Sequence, residues 1–468
     1  MLKFQKNRPG GLKIIVVGCG KVGATLVEQL SREGHDLTII DVNESIVSEL
    51  STTYDVLGLT GSGASYSLQQ EAGVESADLM IAVTDSDELN LLCCTLAKKA
   101  GNCATIARVR NPDYTVERRF LRQQLGLSMI INPELEAATE IARLLRLPTA
   151  LDISSFAKGA AELIKFKIPQ ANQLHGKTLA EAAQSLQCDA LFCAVERGRE
   201  LTIPSGSFEL REGDLVSVLV SARDSRSFFG SIGVPTHQVA STMIVGGGKS
   251  SYYLAKQLTE MGINVKIIEQ DARRCRDLSE LLPRATILRG DGTDELLLQE
   301  EGILSAESFV PLTGLDEENI LLTLYARRVS NCKVITKLNR VAFHDVIAQL
   351  DLGSVVYPRF ITAETIIAYV RALQNSIGSN IETLYKLFDD RAEAAEFCVG
   401  PDAPVCGKPL AELSLKDNLL IACINRGGKI IIPRGSDCIQ ADDTVIVVTT
   451  VTGLNDLDDI LDKRRAKA

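Results

Sequence analysis

Three glycines and one carboxylate carry the first recognisable chemistry in this sequence. Gly18-Cys19-Gly20-Lys21-Val22-Gly23 follows the β-branched run Ile14-Ile15-Val16-Val17 and leads straight into an amphipathic helix pattern. In such a turn Gly18 permits the tight bend, Gly20 lets a pyrophosphate approach the backbone, and Gly23 lets the helix pack closely on the strand. The free N–H groups and the positive end of the helix dipole favour an anion there. Ile39-Ile40 form the core of a second strand ending in Asp41, about twenty residues beyond the glycines, where an acid can accept hydrogen bonds from ribose hydroxyls. That carboxylate disfavours a 2′-phosphate, so NAD is preferred over NADP.

These residues need a scaffold, and the pattern from Lys13 onward supplies one. Strands are predicted at 14–17, 37–41, near 55–59, at 78–83 and at 104–109, alternating with helices at 21–33, near 44–51, near 65–72 and at 87–100. Alternation of this kind argues for a doubly wound parallel sheet of the Rossmann type, with helices on both faces and ligands at the carboxyl ends of the strands. Thr84 and Asp85 end the fourth strand, where the ligand crevice opens. Arg108 ends the fifth and is a candidate to contact phosphate, with Arg110 the competing choice because strand alternation puts both on one face. Lys21 either reaches the phosphates as a point charge or is an ordinary solvated helix lysine.

Asn132-Pro133-Glu134 opens an amphipathic run through Arg146, which Pro148 stops; its apolar stripe serves either core packing or an arm that pairs with another subunit. Residues 149 to about 230 change texture to short strands, glycines and prolines, as expected of a small α+β or β-rich domain whose last strand, near Leu215 to Val220, is fully buried. Then the opening returns. Met243-Ile244-Val245-Gly246-Gly247-Gly248-Lys249-Ser250-Ser251 and Ile267-Ile268-Glu269 repeat the first turn and its acid 228 residues further on (246 − 18 and 269 − 41). With one residue of drift, Gly61-Ser62-Gly63 answers Gly290-Asp291-Gly292, Thr84 answers Thr313 and Asn90 answers Asn319. The small domains repeat as well, Gly176-Lys177 with Gly407-Lys408 and Ile203-Pro204 with Ile432-Pro433. This is a tandem duplication of a two-part unit. The expected division is a flexible leader at 1–12, a nucleotide domain with its linking helix at 13–148, a small domain at 149–236, a second nucleotide domain with its helix at 237–376, and a second small domain at 377–468. The helices near 133–146 and 359–374 are predicted to link each pair and are candidates to pack across subunits.

Composition narrows the function. A length of 468 residues with 45% hydrophobic and 24% charged residues suits a globular protein of several domains. The net charge of −10 argues against general affinity for nucleic acid. No apolar run approaches the ~20 residues of a membrane span, and the polar first residues do not read as a signal peptide. Any role at a membrane must therefore come through a partner. The twelve cysteines are scattered in apolar or strand-like stretches without Cys-x-x-Cys spacing, which argues for reduced thiols and against zinc.

A dehydrogenase is one reading of the glycine turn, but it needs a positioned acid or base. Of the four histidines, His35 falls in a helix-to-strand turn, His175 in the small domain, His237 in a linker and His344 on a helix of the second half. None is near a strand's carboxyl end in the first nucleotide domain, so solvated or structural roles are expected. The small domains carry no Ser-His-Asp, paired-carboxylate or metal-ligand pattern. The other reading is a sensor in which tandem nucleotide sites move a partner.

The unit resembles the RCK module, also called the KTN or TrkA domain pair, of bacterial potassium transport regulators. The resemblance runs from about residue 13 to 460. It rests on Gly18-Cys19-Gly20-Lys21-Val22-Gly23 with Asp41, Val83-Thr84-Asp85-Ser86-Asp87-Glu88-Leu89-Asn90, Ala107-Arg108-Val109-Arg110-Asn111-Pro112 and Ile141-Ala142-Arg143-Leu144-Leu145-Arg146-Leu147-Pro148. It implies a non-enzymatic regulator on the cytosolic face of the cell membrane, bound to a Trk- or Ktr-type potassium-translocating subunit (TrkH, TrkG or KtrB type). It further implies binding of NAD(H), with ATP or ADP as further candidates, and a homotetramer whose nucleotide domains form a ring that gates potassium uptake.

Set against that family, Ser62 departs from its frequent Gly-Asp-Gly, which Asp291 preserves in the second copy. If that aspartate contributes to adenosine binding, the first site is altered at this edge. In the second copy Gly246 and Gly248 keep the turn, Lys249 answers Lys21, Ser251 replaces the third glycine and Glu269 keeps the acid. Thr313 answers Thr84, Gly314 replaces Asp85, and Lys337 stands where Arg108 stands. Two nucleotide sites of different preference are expected, with a purely structural second copy as the alternative.

Overall fold

The computed structural model describes residues 11–198, 200–234, 236–339, 347, 350–375, 381–388, 391–401, 403–451, 454 and 456–462. His344, most of the expected leader and the last residues of the chain lie outside the described residues. Leu12, expected within the leader, is 5% exposed, and its N–H donates to Nδ1 of the buried His35 at 3.0 Å. His35 is thus a structural histidine.

The first parallel sheet contains β1 (Lys13–Val17), β2 (Asp36–Asp41), β3 (Leu57–Thr60), β4 (Leu79–Ala82), β5 (Ala104–Arg108) and β6 (Met129–Ile131) in the order β3-β2-β1-β4-β5-β6. The helices between them are α1 (Lys21–Arg32), α2 (Glu44–Tyr54), α3 (Tyr66–Glu71), α4 (Asp87–Ala100), α5 (Pro112–Val116) and α6 (Arg118–Gln124), and α7 (Pro133–Arg146) follows. Ile14, Ile15, Val16 and Val17 are at most 2% exposed, as continuous β-branched runs are in a sheet covered on both faces. The order reverses between β1 and β4, which opens a crevice at their carboxyl ends, beside the glycine turn.

The first antiparallel sheet contains β7 (Ala150–Phe156), β8 (Ala161–Lys167), β9 (Ala190–Arg197), β10 (Glu200–Thr202) and β11 (Leu215–Ser221) in the order β10-β9-β11-β8-β7, with α8 (Leu179–Ser185) and α9 (Ser225–Ser231) beside it. The last strand, β11, lies in the middle of the sheet, and Val216, Val218, Leu219 and Val220 are fully buried, which is why its sequence is apolar on both faces.

The duplication is exact at the level of topology. A second parallel sheet comprises β12 (Ser241–Val245), β13 (Asn264–Glu269), β14 (Thr286–Arg289), β15 (Ser308–Pro311), β16 (Lys333–Lys337) and β17 (Ser354–Val356) in the order β14-β13-β12-β15-β16-β17. Its helices are α10 (Lys249–Glu260), α11 (Ala272–Leu281), α12 (Glu295–Glu300), α13 (Asp316–Val329) and α14 (Pro358–Asn375). A second antiparallel sheet comprises β18 (Ile381–Leu387), β19 (Ala392–Cys398), β20 (Leu419–Arg426), β21 (Lys429–Ile431) and β22 (Thr444–Thr449) in the order β18-β19-β22-β20-β21.

The halves pair like with like. The described residues within Met1–Ala142 and Ala240–Ile367 form one compact unit holding both parallel sheets, and those within Arg143–Val239 and Ala368–Ala468 form a second holding both antiparallel sheets. In the second unit a single apolar cluster takes Phe156, Leu163, Cys193 and Leu219 from the first copy and Phe388, Ala394, Cys423 and Ile446 from the second. Phe156 and Tyr385 meet edge to face at 4.9 Å, and the Tyr385 hydroxyl donates to the Ser155 carbonyl at 3.1 Å. All twelve cysteines are free thiols. Among the described residues, no helix is long and apolar enough to cross a membrane.

Candidate nucleotide sites

The first glycine turn is held from three sides. Gly18 has φ +92°, a conformation that favours glycine, and its N–H donates to the Ile40 carbonyl at 2.9 Å. A Cβ on Gly18 would lie 2.7 Å from the Thr84 nitrogen, and one on Gly23 would lie 1.9 Å from the Gly18 carbonyl oxygen. Gly20 differs. It caps α1 with φ −65° and has nothing within 4 Å of an added Cβ, so neither backbone nor packing demands glycine there. Open space over a helix N-terminus fits the close approach of a phosphate.

Asp41 closes the turn at the end of β2. Its Oδ2 accepts the Cys19 N–H at 2.6 Å and its Oδ1 accepts the Asn43 N–H at 2.9 Å; each oxygen keeps lone-pair capacity for a ribose hydroxyl. Burial, reinforced by Asp41, pushes the Cys19 thiol up to about 12, so it stays protonated and unreactive.

The carboxyl ends of β4 and β5 are tied together by Asn90, which is fully buried. Its Oδ1 accepts the Thr84 N–H at 2.8 Å and the Thr84 hydroxyl at 2.7 Å, and its Nδ2 donates to the Thr84 and Arg108 carbonyls at 3.0 and 2.9 Å. Asn319 repeats the clamp on Thr313 and Lys337. The Asn90–Asn319 match in the repeat was the available signal for this clamp, but a sequence match does not assign partners.

The sequence-derived candidates at this edge are already engaged with protein groups. Arg108 donates to the Thr84 carbonyl at 2.5 Å and to Asp85 Oδ1 at 2.9 Å; burial and the neighbouring Arg110 lower its pKa. Arg110 donates to the Asp85 carbonyl, and its guanidinium lies 3.6 Å from the buried Asp87 and 4.0 Å from Glu134. Burial raises the Glu134 pKa. Ser62 is exposed and accepts the Ala64 N–H at 3.4 Å. Lys21 opens α1 at the turn, with Val22 buried behind it.

In the second copy, Gly246 has φ +96° and Gly248 again caps its helix with nothing within 4 Å of an added Cβ. Glu269 accepts the Gly247 N–H at 2.6 Å and the Asp271 N–H at 2.7 Å. Ser251 is fully buried, and its hydroxyl donates to the Gly246 carbonyl at 2.5 Å, so the residue replacing the third glycine becomes a brace. Asp291 accepts the N–H and hydroxyl of Thr293 at 2.9 and 2.8 Å, which gives its carboxylate a loop-capping task and holds its pKa down. Burial lowers the Lys337 pKa, and its Nζ donates to the Leu312 carbonyl at 3.4 Å. Lys249 opens α10, and Gly314 leaves the position of Asp85 without a side chain.

Sequence reasoning missed Arg274. Its guanidinium donates to the Gly247 carbonyl at 2.5 Å and to the Gly248 carbonyl at 3.4 Å, placing a cation against the second turn where α2 of the first copy carries Ile46. It also missed Tyr253, whose hydroxyl lies 3.0 Å from the Arg110 carbonyl and bridges the two nucleotide lobes.

The fold defines a duplicated α/β protein in which Rossmann-type lobes with glycine turns at their first strands alternate with antiparallel lobes. The chain belongs to the TrkA family: the TrkA-N domain matches residues 14–133 and 242–358, and the TrkA-C domain matches 163–233 and 394–462. It is 32% identical over 458 residues to Trk system potassium uptake protein TrkA homolog 1 of Methanosarcina mazei, covering 96% of this chain and 99% of that protein. It is 30% identical over 462 residues to Trk system potassium uptake protein TrkA of Halomonas elongata, covering 97% of each. Among solved structures, the GsuK RCK domain superposes with a TM-score of 0.62 at 18% identity, covering 96% of this chain and 95% of that one, and the GsuK channel bound to NAD also gives 0.62 at 18% identity. At that identity the likeness establishes the fold.

Proposed function

We propose that this chain is a nucleotide-sensing regulatory subunit of a Trk- or Ktr-type potassium uptake system and catalyses no reaction of its own. The observation that carries the reading is the repeated turn and acid, Gly18 to Gly23 with Asp41 and Gly246 to Ser251 with Glu269, each acid bonded back to its own turn. The potassium system comes from the relatives, which are Trk system potassium uptake proteins along nearly their whole length.

NAD(H) is the proposed ligand of the first site, with ATP or ADP as further candidates at either site. The N–H groups at Gly20 and Lys21 would face the pyrophosphate, and Asp41 would accept the adenosine ribose hydroxyls. Thr84 and Asp85 would line the crevice, with Arg108 holding them in place from behind. In the second site Gly248, Lys249 and Glu269 take the corresponding roles, and Arg274 sets a different charge beside the turn. A bound nucleotide would favour one arrangement of the paired lobes, and a homotetrameric ring of such lobes would pass that preference to a membrane potassium-translocating subunit.

The competing reading is an NAD-dependent dehydrogenase. The test measures substrate-dependent NADH turnover together with nucleotide-dependent retention of the chain on membranes containing a potassium-translocating subunit. Retention without turnover is expected; turnover without retention would overturn the proposal.

A further inference from the structure

The helix that starts at the second glycine turn reaches into the first nucleotide lobe. Tyr253 lies on α10, just over one helical turn beyond Gly248, and is 5% exposed. Its hydroxyl donates to the Arg110 carbonyl at 3.0 Å, accepts from Asn132 Nδ2 at 3.0 Å and lies 2.9 Å from the Thr115 hydroxyl. One turn further along the same face, Gln257 Nε2 donates to the Thr139 hydroxyl at 3.2 Å. Both contacts fall within the unit that holds the two parallel sheets.

Arg110 is the joint on the receiving side. Its N–H and that of Asn111 donate to Asp87 at 2.9 and 2.8 Å, and its guanidinium holds the Asp85 carbonyl. Asp85 follows Thr84, whose nitrogen packs against Gly18 of the first turn. A continuous path of covalent and hydrogen-bonded contacts therefore runs from Gly248 along α10 through Tyr253 and Arg110 to Thr84 and the first turn.

Among the described residues, the hydrogen bond that Tyr253 makes across the lobes is not repeated at the equivalent position of the first copy. The residue matching Tyr253 in the first copy is Thr25, whose short side chain donates to the Lys21 carbonyl of its own helix at 2.9 Å. That hydrogen bond stays within α1. The two copies share their sheet topology strand for strand but differ at this position, and Tyr253 links the helix that starts at the second glycine turn to the first copy's crevice.

We infer that Tyr253 is a positioning residue that couples the two nucleotide sites of one chain, so that a nucleotide phosphate on the second turn changes the affinity of the first site for its nucleotide, and reciprocally. The inference rests on the two-site reading above. A ligand that draws the N-terminus of α10 toward itself shifts Tyr253, and the Arg110 carbonyl must follow or lose a buried hydrogen bond. Coupling then appears as a difference between a site's affinity with its neighbour filled and with its neighbour blocked.

The test uses calorimetric titration of the full-length chain with NADH and, in a parallel series, ADP. The proteins are the intact chain, Gly20→Asp and Gly248→Asp, each with and without Tyr253→Phe; both aspartates enter open space and place a carboxylate where phosphate would sit. Two equivalents in the intact chain and one in each blocked variant support two sites, whereas a single equivalent throughout overturns the two-site reading itself. Given two sites, affinities in the intact chain should differ from those in the blocked variants by about fivefold or more, and Tyr253→Phe should bring the ratio to about one while leaving the one-site affinities within about twofold. Equal affinities with the neighbour filled or blocked overturn the coupling and leave the sites standing. An undiminished ratio in Tyr253→Phe overturns the role of Tyr253. Should that variant fail to fold, Gln257→Ala must lower the ratio, and an unchanged ratio counts against the inference.

Discussion

The backbone N–H of Cys19 donates to Asp41 Oδ2 at 2.6 Å, which makes the glycine turn and the strand-ending acid of the first lobe a single hydrogen-bonded piece. Asp41 is therefore positioned before any ligand arrives, and the Asn43 N–H holds its other oxygen at 2.9 Å. Asp41→Ala removes the acceptor for both. It is expected to weaken NADH binding at least about tenfold, since hydrogen bonds to a charged group are worth roughly 1.5–3 kcal/mol. Calorimetry with NADH checks this; unchanged affinity would remove Asp41 from the site.

The glycines of the turn should separate by substitution. Gly23→Ala drives a Cβ to 1.9 Å from the Gly18 carbonyl, whereas Gly20→Ala meets nothing within 4 Å. Thermal melts should show a loss of about 1–3 kcal/mol for Gly23→Ala and little change for Gly20→Ala. Equal losses would mean that Gly20 is kept for the fold rather than for a ligand.

Stability should depend on pH through Glu136, on α7. Burial pushes its carboxyl up to about 7 from 4.5, opposed by Arg118 and by a long hydrogen bond from Thr362, and reinforced by Glu134. Between those values the folded chain holds a proton that the unfolded chain releases. The contribution is whole below about pH 4.5 and is lost as pH rises to about 7, by at most about 3 kcal/mol. Glu136→Gln should flatten this part of the stability profile and raise the melting temperature above pH 7. A slope that survives the substitution would assign the proton to another group.

The antiparallel lobes carry a matched pair of internal ion pairs. Arg197 grips Asp214 with two bonds of 2.8 and 2.7 Å, and Arg426 grips Asp443 with two of 2.9 and 2.8 Å. Both aspartates are at most 2% exposed, and each also accepts a backbone N–H, from Arg211 or Gln440, at 2.8 Å. The arginines reach solvent, which screens part of the interaction. Asp214→Ala and Asp443→Ala should each destabilise by about 2–4 kcal/mol in denaturant unfolding, somewhat below the roughly 3–5 kcal/mol for breaking a fully buried pair because each arginine is part-exposed. Losses below ~1 kcal/mol would place these pairs with ordinary surface bridges.

What the sequence made readable followed from local periodicity. The first turn, Asp41 and α7 at 133–146 could be located because glycine spacing, a strand-ending acid and an apolar stripe leave their mark within a few residues. The repeat was legible for the same reason, since Gly246 and Glu269 carry the same local marks. The short helices Pro112–Val116 and Arg118–Gln124 went unread, because neither spans enough residues for a helical period to emerge. The pairing of like lobes was unreadable in principle: periodicity shows which face of Phe156 or Tyr385 is buried, and nothing about which face it meets. Arg108 is a similar case. Its place at the end of β5 was legible, but its bonds to Thr84 and Asp85 depend on how β4 and β5 lie side by side. Tyr253 and Arg274 read as ordinary helix residues until tertiary packing sets one against Arg110 and the other against Gly247.

The central claim is that the first glycine turn is a nucleotide site, and NADH calorimetry on the intact chain beside Gly20→Asp tests it most directly. Gly20 sits in open space at the N-terminus of α1, so the aspartate should leave the melting temperature unchanged or slightly raised, as a good N-cap residue does. The expected result is saturable NADH binding by the intact chain and the loss of one equivalent in the variant. Unaltered NADH binding by a folded Gly20→Asp chain would contradict the account.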